Sequence, residues 1–372
     1  MAIANKLEII YDSCKDIRDV ITEKNSSLGK GNITTLGSDV TKICNPNSYI
    51  HKVIREAITE TQTDPDTGEE TEVITGYNYK REDEYVGSNY TELPNSKFNG
   101  NTNLISVIIP STVKTVNYRA FYGCTNLQYV NVENTQTIGG TSGGGAFANC
   151  TNLKIDFNYK VLTRTQQGEF ENCGITSFKC ESGNVFSGAS NTGSMFRNCT
   201  NLKTVEFPDV NIYGWNYMFD GCTHLTSVTP IERFTYLGAA CFRNCKELKI
   251  VIDMPNLTTV QNSFTNSGIT GVESLGRITS NTSNGLFENC KNLTYVKLPT
   301  TLTRLGNYAF RYCTALTTVY VYATTPPTIG TGIFNGCSAL TNIYVPADSV
   351  ATYQSASGWS AYASKISAIP SE

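Results

Sequence analysis

The stretch Ala120-Phe121-Tyr122-Gly123-Cys124-Thr125-Asn126-Leu127-Gln128-Tyr129-Val130-Asn131-Val132 decides how this chain folds. It reads as Phe, two residues, Cys, two residues, Leu, two residues, then Val-x-Val. The reading returns at Phe147/Cys150, Phe170/Cys173, Phe196/Cys199, Phe219/Cys222, Phe242/Cys245, Phe287/Cys290, Phe310/Cys313 and Phe334/Cys337. Two degenerate copies complete it, with Asn101 after Phe98 and Ser267 after Phe264 where Cys is expected. Successive phenylalanines from Phe98 onward are 23, 26, 23, 26, 23, 23, 22, 23, 23 and 24 residues apart. A fixed period of this size implies one supersecondary unit per repeat, each burying its apolar face against its neighbours.

Each coil is predicted to have three pieces. The first is a strand such as Asn292-Leu293-Thr294-Tyr295-Val296-Lys297-Leu298-Pro299, with Leu293, Val296 and Leu298 pointing in and Tyr295 and Lys297 out. Pro110, Pro208, Pro299 and Pro346 close such strands, where no further ladder donor is needed. The second is another extended piece, as in Leu302–Gly306, and the third a tight Ala309-Phe310 corner leading to the Cys. A coil this short has no room for a long helix.

Of the 372 residues, 40% are hydrophobic and only 16% charged, so the chain is too apolar to be disordered. The net charge of -3 and the lack of a basic run argue against nucleic acid and anionic membrane surfaces as partners. No apolar run reaches membrane-spanning length, so membrane insertion is not expected. The start, Met1-Ala2-Ile3-Ala4-Asn5-Lys6-Leu7-Glu8, has no apolar signal core. Without a leader, the odd count of 13 cysteines points to reduced thiols. Nine of them share one repeat position, so they should stack roughly 4.8 Å apart. Parallel side chains of this kind suit a buried ladder of small hydrophobes better than disulfides.

Residues 1–92 do not carry the repeat. Leu7, Ile10, Cys14, Ile17 and Ile21 are spaced 3, 4, 3 and 4, a heptad seam on a helix predicted over residues 3–25. It serves either as one amphipathic helix of a small bundle or as a self-association helix, giving a homodimer or homotrimer. A second helix, capped by Asn47 or Ser48, would carry Ile50, Val53, Ile54, Ala57 and Ile58 on one face. Asp64-Pro65-Asp66-Thr67-Gly68-Glu69 is a turn flanked by arms containing Thr61 and Val73, predicting a polar hairpin. Its acidic residues lack the spaced terminal Glu of a calcium loop. Residues 77–92 read as a charged connector. The expected domains are therefore 1–92, an attachment or oligomerisation domain; 93–346, the solenoid; and 347–372, a cap in which Val350, Tyr353, Trp359, Tyr362 and Ile366 cover the last coil.

The recurring Ala-Phe-x-x-Cys-x-x-Leu-x-x-Val-x-Val-Pro resembles the BspA-like leucine-rich repeat family over some 270 residues, and the ending Ile343–Gln354, Gly358-Trp359-Ser360 resembles that family's usual terminus. The resemblance implies a mostly β leucine-rich-repeat solenoid of about eleven ~23-residue coils, preceded by a small α+β domain. It also implies adhesion and interaction roles, since family members are mainly surface or secreted proteins. The departures are Asn101, Ser267, the longer coils after Phe121 and Phe170 (the first with the run Gly139–Gly145), and the missing signal peptide. The stretch 7–25, Leu-Glu-Ile-Ile-Tyr-Asp-Ser-Cys-Lys-Asp-Ile-Arg-Asp-Val-Ile-Thr-Glu-Lys-Asn, resembles the leading segment of structural proteins of gut bacteriophages.

Catalytic chemistry finds little support. His51 and His224 are the only histidines, and Cys222 near His224 belongs to the ladder. Cys241 and Cys245 have no second pair to complete a zinc site. Gly143-Gly144-Gly145 lacks the Lys of a phosphate loop, and triplets such as Asn149-Cys150-Thr151 fall out of the repeat. No catalytic, cofactor or metal residues are expected. The remaining candidates are Tyr129, Tyr295, Tyr320, Tyr322 and Tyr344, assigned to outward strand positions of different coils, where aromatics stack on sugars or anchor a protein. The alternative is that Tyr merely suits strands.

Two functions follow as expectations. In the first, the chain is a non-enzymatic structural or adhesion protein of a bacteriophage virion, a fibre or decoration assembled in the host cytoplasm. Its N-terminal domain then meets other virion proteins, and the solenoid meets a host-surface glycan or protein. In the alternative, it is a bacterial BspA-like surface adhesin or interaction module.

Overall fold

In the computed structural model the described residues are 48–64, 69–139, 145–160, 162–163, 165, 167–183, 186 and 193–371. The heptad residues Leu7, Ile10, Cys14, Ile17 and Ile21, the helix over 3–25, Asn47 and most of the Gly139–Gly145 run lie outside them.

The repeat coils into a β-solenoid of about 11 turns, as the periodicity predicts. Each coil adds one short strand to a main parallel column. Strands 156–159, 177–180, 204–206 and 227–229 form one segment of it, and 251–253, 271–274, 295–298, 318–321, 342–345 and 366–368 another. A second column faces it, built of pieces such as 212–214, 234–237 and 259–260, or 304–305 and 328–329. Register matches repeat position. Phe157, Phe178, Val205 and Val228 pair side by side, as do Ile252, Val272, Val296, Val319, Ile343 and Ile366. All ten are buried. In the strand 295–298, Val296 and Leu298 are buried while Tyr295 and Lys297 are half-exposed, as the alternation requires.

Phenylalanine forms the axis of the core. From Phe98 to Phe334 each ring stacks on the next, with centroids 5.1–5.7 Å apart and interplanar angles of 2–28°. The spacing follows from the backbone at the corner. Each Phe amide from Phe98 to Phe310 bonds forward to the next coil, as Phe196 N–H to the Met218 carbonyl (2.9 Å) and Phe287 N–H to the Ala309 carbonyl (2.7 Å). Two residues after every Phe the backbone is left-handed, at φ between 55° and 79°. Asn or Gly occupies ten of these eleven positions and Tyr312 the other, because an L side chain there is strained and Asn tolerates it best.

The ladder cysteines do more than fill space. Each Phe carbonyl accepts the amide three residues on, that of Cys in nine coils and of Asn101 and Ser267 in the other two, and in most coils also the thiol of the next coil. The Phe196 carbonyl takes Cys199 N–H and the Cys222 Sγ–H, both at 3.0 Å, and eight thiols bond this way at 2.8–3.2 Å. Cys173 is the exception, reaching the Cys150 carbonyl at 3.5 Å. The substituted positions are consistent with this pattern. Asn101 sits in the first coil, where no preceding Phe is available, and the buried Ser267 hydroxyl lies 3.4 Å from Cys290 Sγ.

Residues 49–85 differ from the expectation. The segment read as a second helix is a strand, β1 (Tyr49–Thr63), paired antiparallel with β2 (Glu70–Tyr85). The polar hairpin is present but longer than predicted, and the supposed connector 77–85 is its second arm. The helical reading failed because positions four apart share a face in a strand as well as in a helix. Ile50, Ile54 and Ile58 lie on one strand face, with Val53 and Ala57 on the other. After β3 (Glu92–Leu93), β1 also pairs with β4 (Leu104–Ile108), which pairs in turn with the strand Tyr129–Val130. The hairpin thus extends the solenoid's main sheet, and Ile50 is buried in its core.

At the other end a helix, α1 (Val350–Ser355), and the turn after it close the last coil. Tyr353 and Trp359 are fully buried, and their polar tips donate to the Ala323 and Pro327 carbonyls at 2.7 Å. Tyr362 meets Phe334 edge-on at 5.1 Å, and Ile366 pairs with Ile343. Phe219→Ala, which opens a gap in the middle of the ring stack, is expected to cost about 3–5 kcal/mol, measured as a lowered urea midpoint. A loss under about 1 kcal/mol would show that the stack carries little of the stability.

Candidate binding surface

The outward face of the main sheet near its C-terminal end gathers the polar and aromatic side chains that alternation excludes from the core. Parallel register sets Lys297, Tyr320 and Tyr344 side by side on three successive coils. The Tyr320 ring lies 5.2 Å from Tyr344 and 6.3 Å from Tyr322, nearly parallel to the latter. On the neighbouring strands the Tyr295 hydroxyl donates to Glu273 Oε2 at 3.3 Å, and the Lys297 ammonium bonds Glu273. That bond raises the Lys297 pKa, while desolvation and then the Glu273 charge raise that of Tyr295. The patch therefore offers ring faces, hydroxyls and one ion pair on a fixed frame. Such rings can stack on the apolar face of a sugar or anchor a protein contact.

Four of the five tyrosines read from the sequence come together here. Tyr129 does not, since it pairs with Ser106 at the N-terminal end. Tyr320 and Tyr322 also share one coil, contrary to the expectation of different coils, and Tyr322 lies one residue past the strand 318–321 instead of on a strand position. A second aromatic pair went unread. Tyr213 and Tyr236 stack on the second column, with centroids 4.1 Å apart and planes at 8°, and Gln261 Nε2 donates to the Tyr236 hydroxyl. Desolvation, with the Tyr236 contact, pushes Tyr213 up to about 12. The signal was present, because the two residues are one coil period apart.

The residue after each stacked Phe forms a column that sequence reading also passed over. Glu171, Arg197, Asp220 and Arg243 alternate in charge along it. Arg197 lies 3.4 Å from Glu171 and 3.6 Å from Asp220, and Arg243 binds Asp220 in a fork at 2.9 and 2.6 Å. Tyr217 packs against both guanidinium groups, at 5.2 and 5.6 Å. This column ties coils together.

Among the described residues neither histidine is hydrogen-bonded to a cysteine, and the hydroxyl 3.3 Å from His224 Nδ1 is that of its chain neighbour Thr223. His224 is exposed, with Nδ1–H donating to the Thr200 carbonyl at 2.6 Å, while Cys222 is buried and bonded to Phe196. His51 Nδ1 is 2.7 Å from Asp83 in the hairpin. Among the described residues no cluster of His, Cys, Asp or Glu could hold a metal ion, and no helix is long and apolar enough to cross a membrane. The eleven described cysteines are free thiols. Burial pushes Cys124 and Cys173 up to about 12, Cys180, Cys290 and Cys337 to about 11, and Cys199, Cys222 and Cys245 well above the usual thiol range.

A stacked β-solenoid with an ordered outward face and a closed core defines the class: a repeat protein of the leucine-rich type. The model of the BspA type leucine-rich repeat region (6 copies) matches residues 77–191, 191–285 and 280–357, and the chain belongs to that family. Its fold and family are those of interaction modules that are typically non-enzymatic. A leucine-rich repeat protein from Bacteroides ovatus is similar in structure, with a TM-score of 0.52 and 20% identity over 78% of this chain and 82% of that one. A leucine-rich cell surface protein from Faecalibacterium prausnitzii aligns with a TM-score of 0.35 and 18% identity, over 84% and 97%. No curated protein matches the sequence.

The raised thiol values set an alkaline limit on stability. Unfolded cysteines lose their protons above roughly pH 8.5, whereas the folded core retains them. The thiol contribution is therefore complete below that pH and falls as pH rises toward 11–12, by about 1.4 kcal/mol per pH unit for each buried thiol. Urea titrations from pH 8 to 11 should show a steep loss of stability, made shallower by Cys222→Ala with Cys245→Ala. An unchanged slope in that variant would remove the thiols as the cause.

Proposed function

We propose that this chain is a non-enzymatic binding module that holds a glycan or protein on the outward face formed by Tyr295, Lys297, Tyr320, Tyr322 and Tyr344. The observation that carries the reading is the Tyr320–Tyr344–Tyr322 cluster beside the Lys297–Glu273 pair. Nothing in the core needs these side chains, and Tyr295, Lys297, Tyr320 and Tyr344 share one face of the sheet with Tyr322 just past its strand. Family membership supports an adhesin or interaction module at a bacterial cell surface. The virion reading draws on the resemblance of residues 7–25, which lie outside the described residues, on the reduced cysteines and on the non-repeat character of residues 1–92, and the comparisons with known proteins lend it no support.

Glycan arrays and labelled intact host cells are the probes for the full chain. Tyr320→Ala with Tyr344→Ala is expected to weaken whatever binding the wild type shows at least tenfold, at roughly 1–2 kcal/mol per aromatic anchor, with an unchanged melting temperature. Undiminished binding would move the site elsewhere. Antibody labelling of intact bacteria, set against purified phage particles, separates the two localisations.

A further inference from the structure

Among the described residues the hairpin leaves one long strand edge without a partner strand. β2 is the outermost strand of its sheet, and among the described residues no strand pairs with its outer side. Among the described residues, six of the nine exposed large hydrophobic side chains lie on this hairpin, among them Ile74, Tyr77, Tyr79 and Tyr85. A register shift at Ile58/Thr59 bulges β2 near its tip, so the regular part of the edge is its base, residues 77–85.

That base reads Tyr79-Lys80-Arg81-Glu82-Asp83-Glu84-Tyr85, a sequence that complements itself when run antiparallel. We propose that β2 pairs antiparallel with β2 of a second copy of this chain about a twofold axis at Glu82. In this register Lys80 faces Glu84 of the second copy, Arg81 faces Asp83, and Tyr79 faces Tyr85. Directly opposite residues share a face in an antiparallel pair. Arg81, Asp83 and both tyrosines therefore lie on the outward face, with Lys80, Glu82 and Glu84 on the other. Arg81 already bonds Asp83 in its own chain at 3.0 Å, so pairing closes a ring of four alternating charges. The Glu82–Glu82 contact at the axis is flanked by Lys52 and Lys80, at 3.5 and 3.6 Å from Glu82 within each chain. Other registers fit worse. An axis at Arg81 sets two guanidinium groups against each other, and one at Asp83 sets carboxylates against carboxylates. Charges on an edge strand ordinarily repel a second strand, but here every charge except Glu82 meets its opposite on the second copy, while Glu84 also keeps Lys97 and Lys80 keeps Glu56 within its own chain. The occupant of the edge is thus another copy of this chain. The inference is independent of the tyrosine surface at the other end.

The test is sedimentation velocity on the full chain with two charge-reversed variants, K80E/R81D and D83R/E84K. Wild type is expected to dimerise and to weaken with salt. Each variant alone places like charges opposite each other and should dimerise roughly tenfold more weakly or worse. Mixed in equal amounts the two should recover a heterodimer, since each then meets its complement. Recovery also shows that both variants fold. A wild type monomeric at about 100 µM, or a mixture that stays monomeric, overturns the proposal. So does a dimer that neither variant affects, which would assign self-association to another part of the chain such as residues 1–47.

Discussion

The phenylalanine carbonyl at each corner is the constraint on which the rest of this molecule depends. The phenylalanine that carries it is buried in every coil, and a buried carbonyl without partners is costly. In most coils it has two, the Cys amide of its own coil and the thiol of the next. The first bond closes the tight turn after the ring. The second sets the distance between coils, and the forward bond from the Phe amide sets it again. Ring stacking, strand register and the alignment of the Val and Leu columns follow from that spacing. A serine can occupy the position, as Ser267 does, but a larger side chain would push the coils apart.

A structure built this way is nearly one-dimensional, and its difficulty is at its ends. At the C-terminus the answer is apolar and specific: two large aromatics fill the exposed end of the core and hand their polar tips to carbonyls of the last coils. At the N-terminus an antiparallel hairpin continues the sheet by two strands and buries Ile50, leaving its own outer edge charged. Between the ends, charge is sparse and used locally. The alternating column through Arg197, Asp220 and Arg243 joins neighbouring coils, and the Lys297–Glu273 pair frames the tyrosines.

The same repeat that builds the core frees the surface. Outward positions carry no packing duty, so Tyr320 and Tyr344 can be placed for contact with something else. Because register is set from inside, residues about a coil apart in sequence become neighbours on a flat frame. The site is thus a property of stacking, and no single coil contains it.

The sequence by itself determined the solenoid, its phenylalanine and cysteine ladders, and the inward and outward sense of the repeat strands such as 295–298. These are local or periodic properties, and periodicity survives being read one residue at a time. Asn or Gly two places after ten of the eleven phenylalanines was a further mark in the sequence, one whose meaning as a left-handed corner came only with the backbone. Only the tertiary structure decided that 49–63 is a strand, because Ile50, Ile54 and Ile58 suit both a helix and a strand until β2 and β4 supply hydrogen-bond partners. Only it showed the thiols as donors, since their acceptors lie 26 to 29 residues earlier in the chain. And only it separated Tyr129 from the other four tyrosines and joined Tyr213 to Tyr236. Contacts between coils depend on register in three dimensions, which spacing alone suggests but packing must complete.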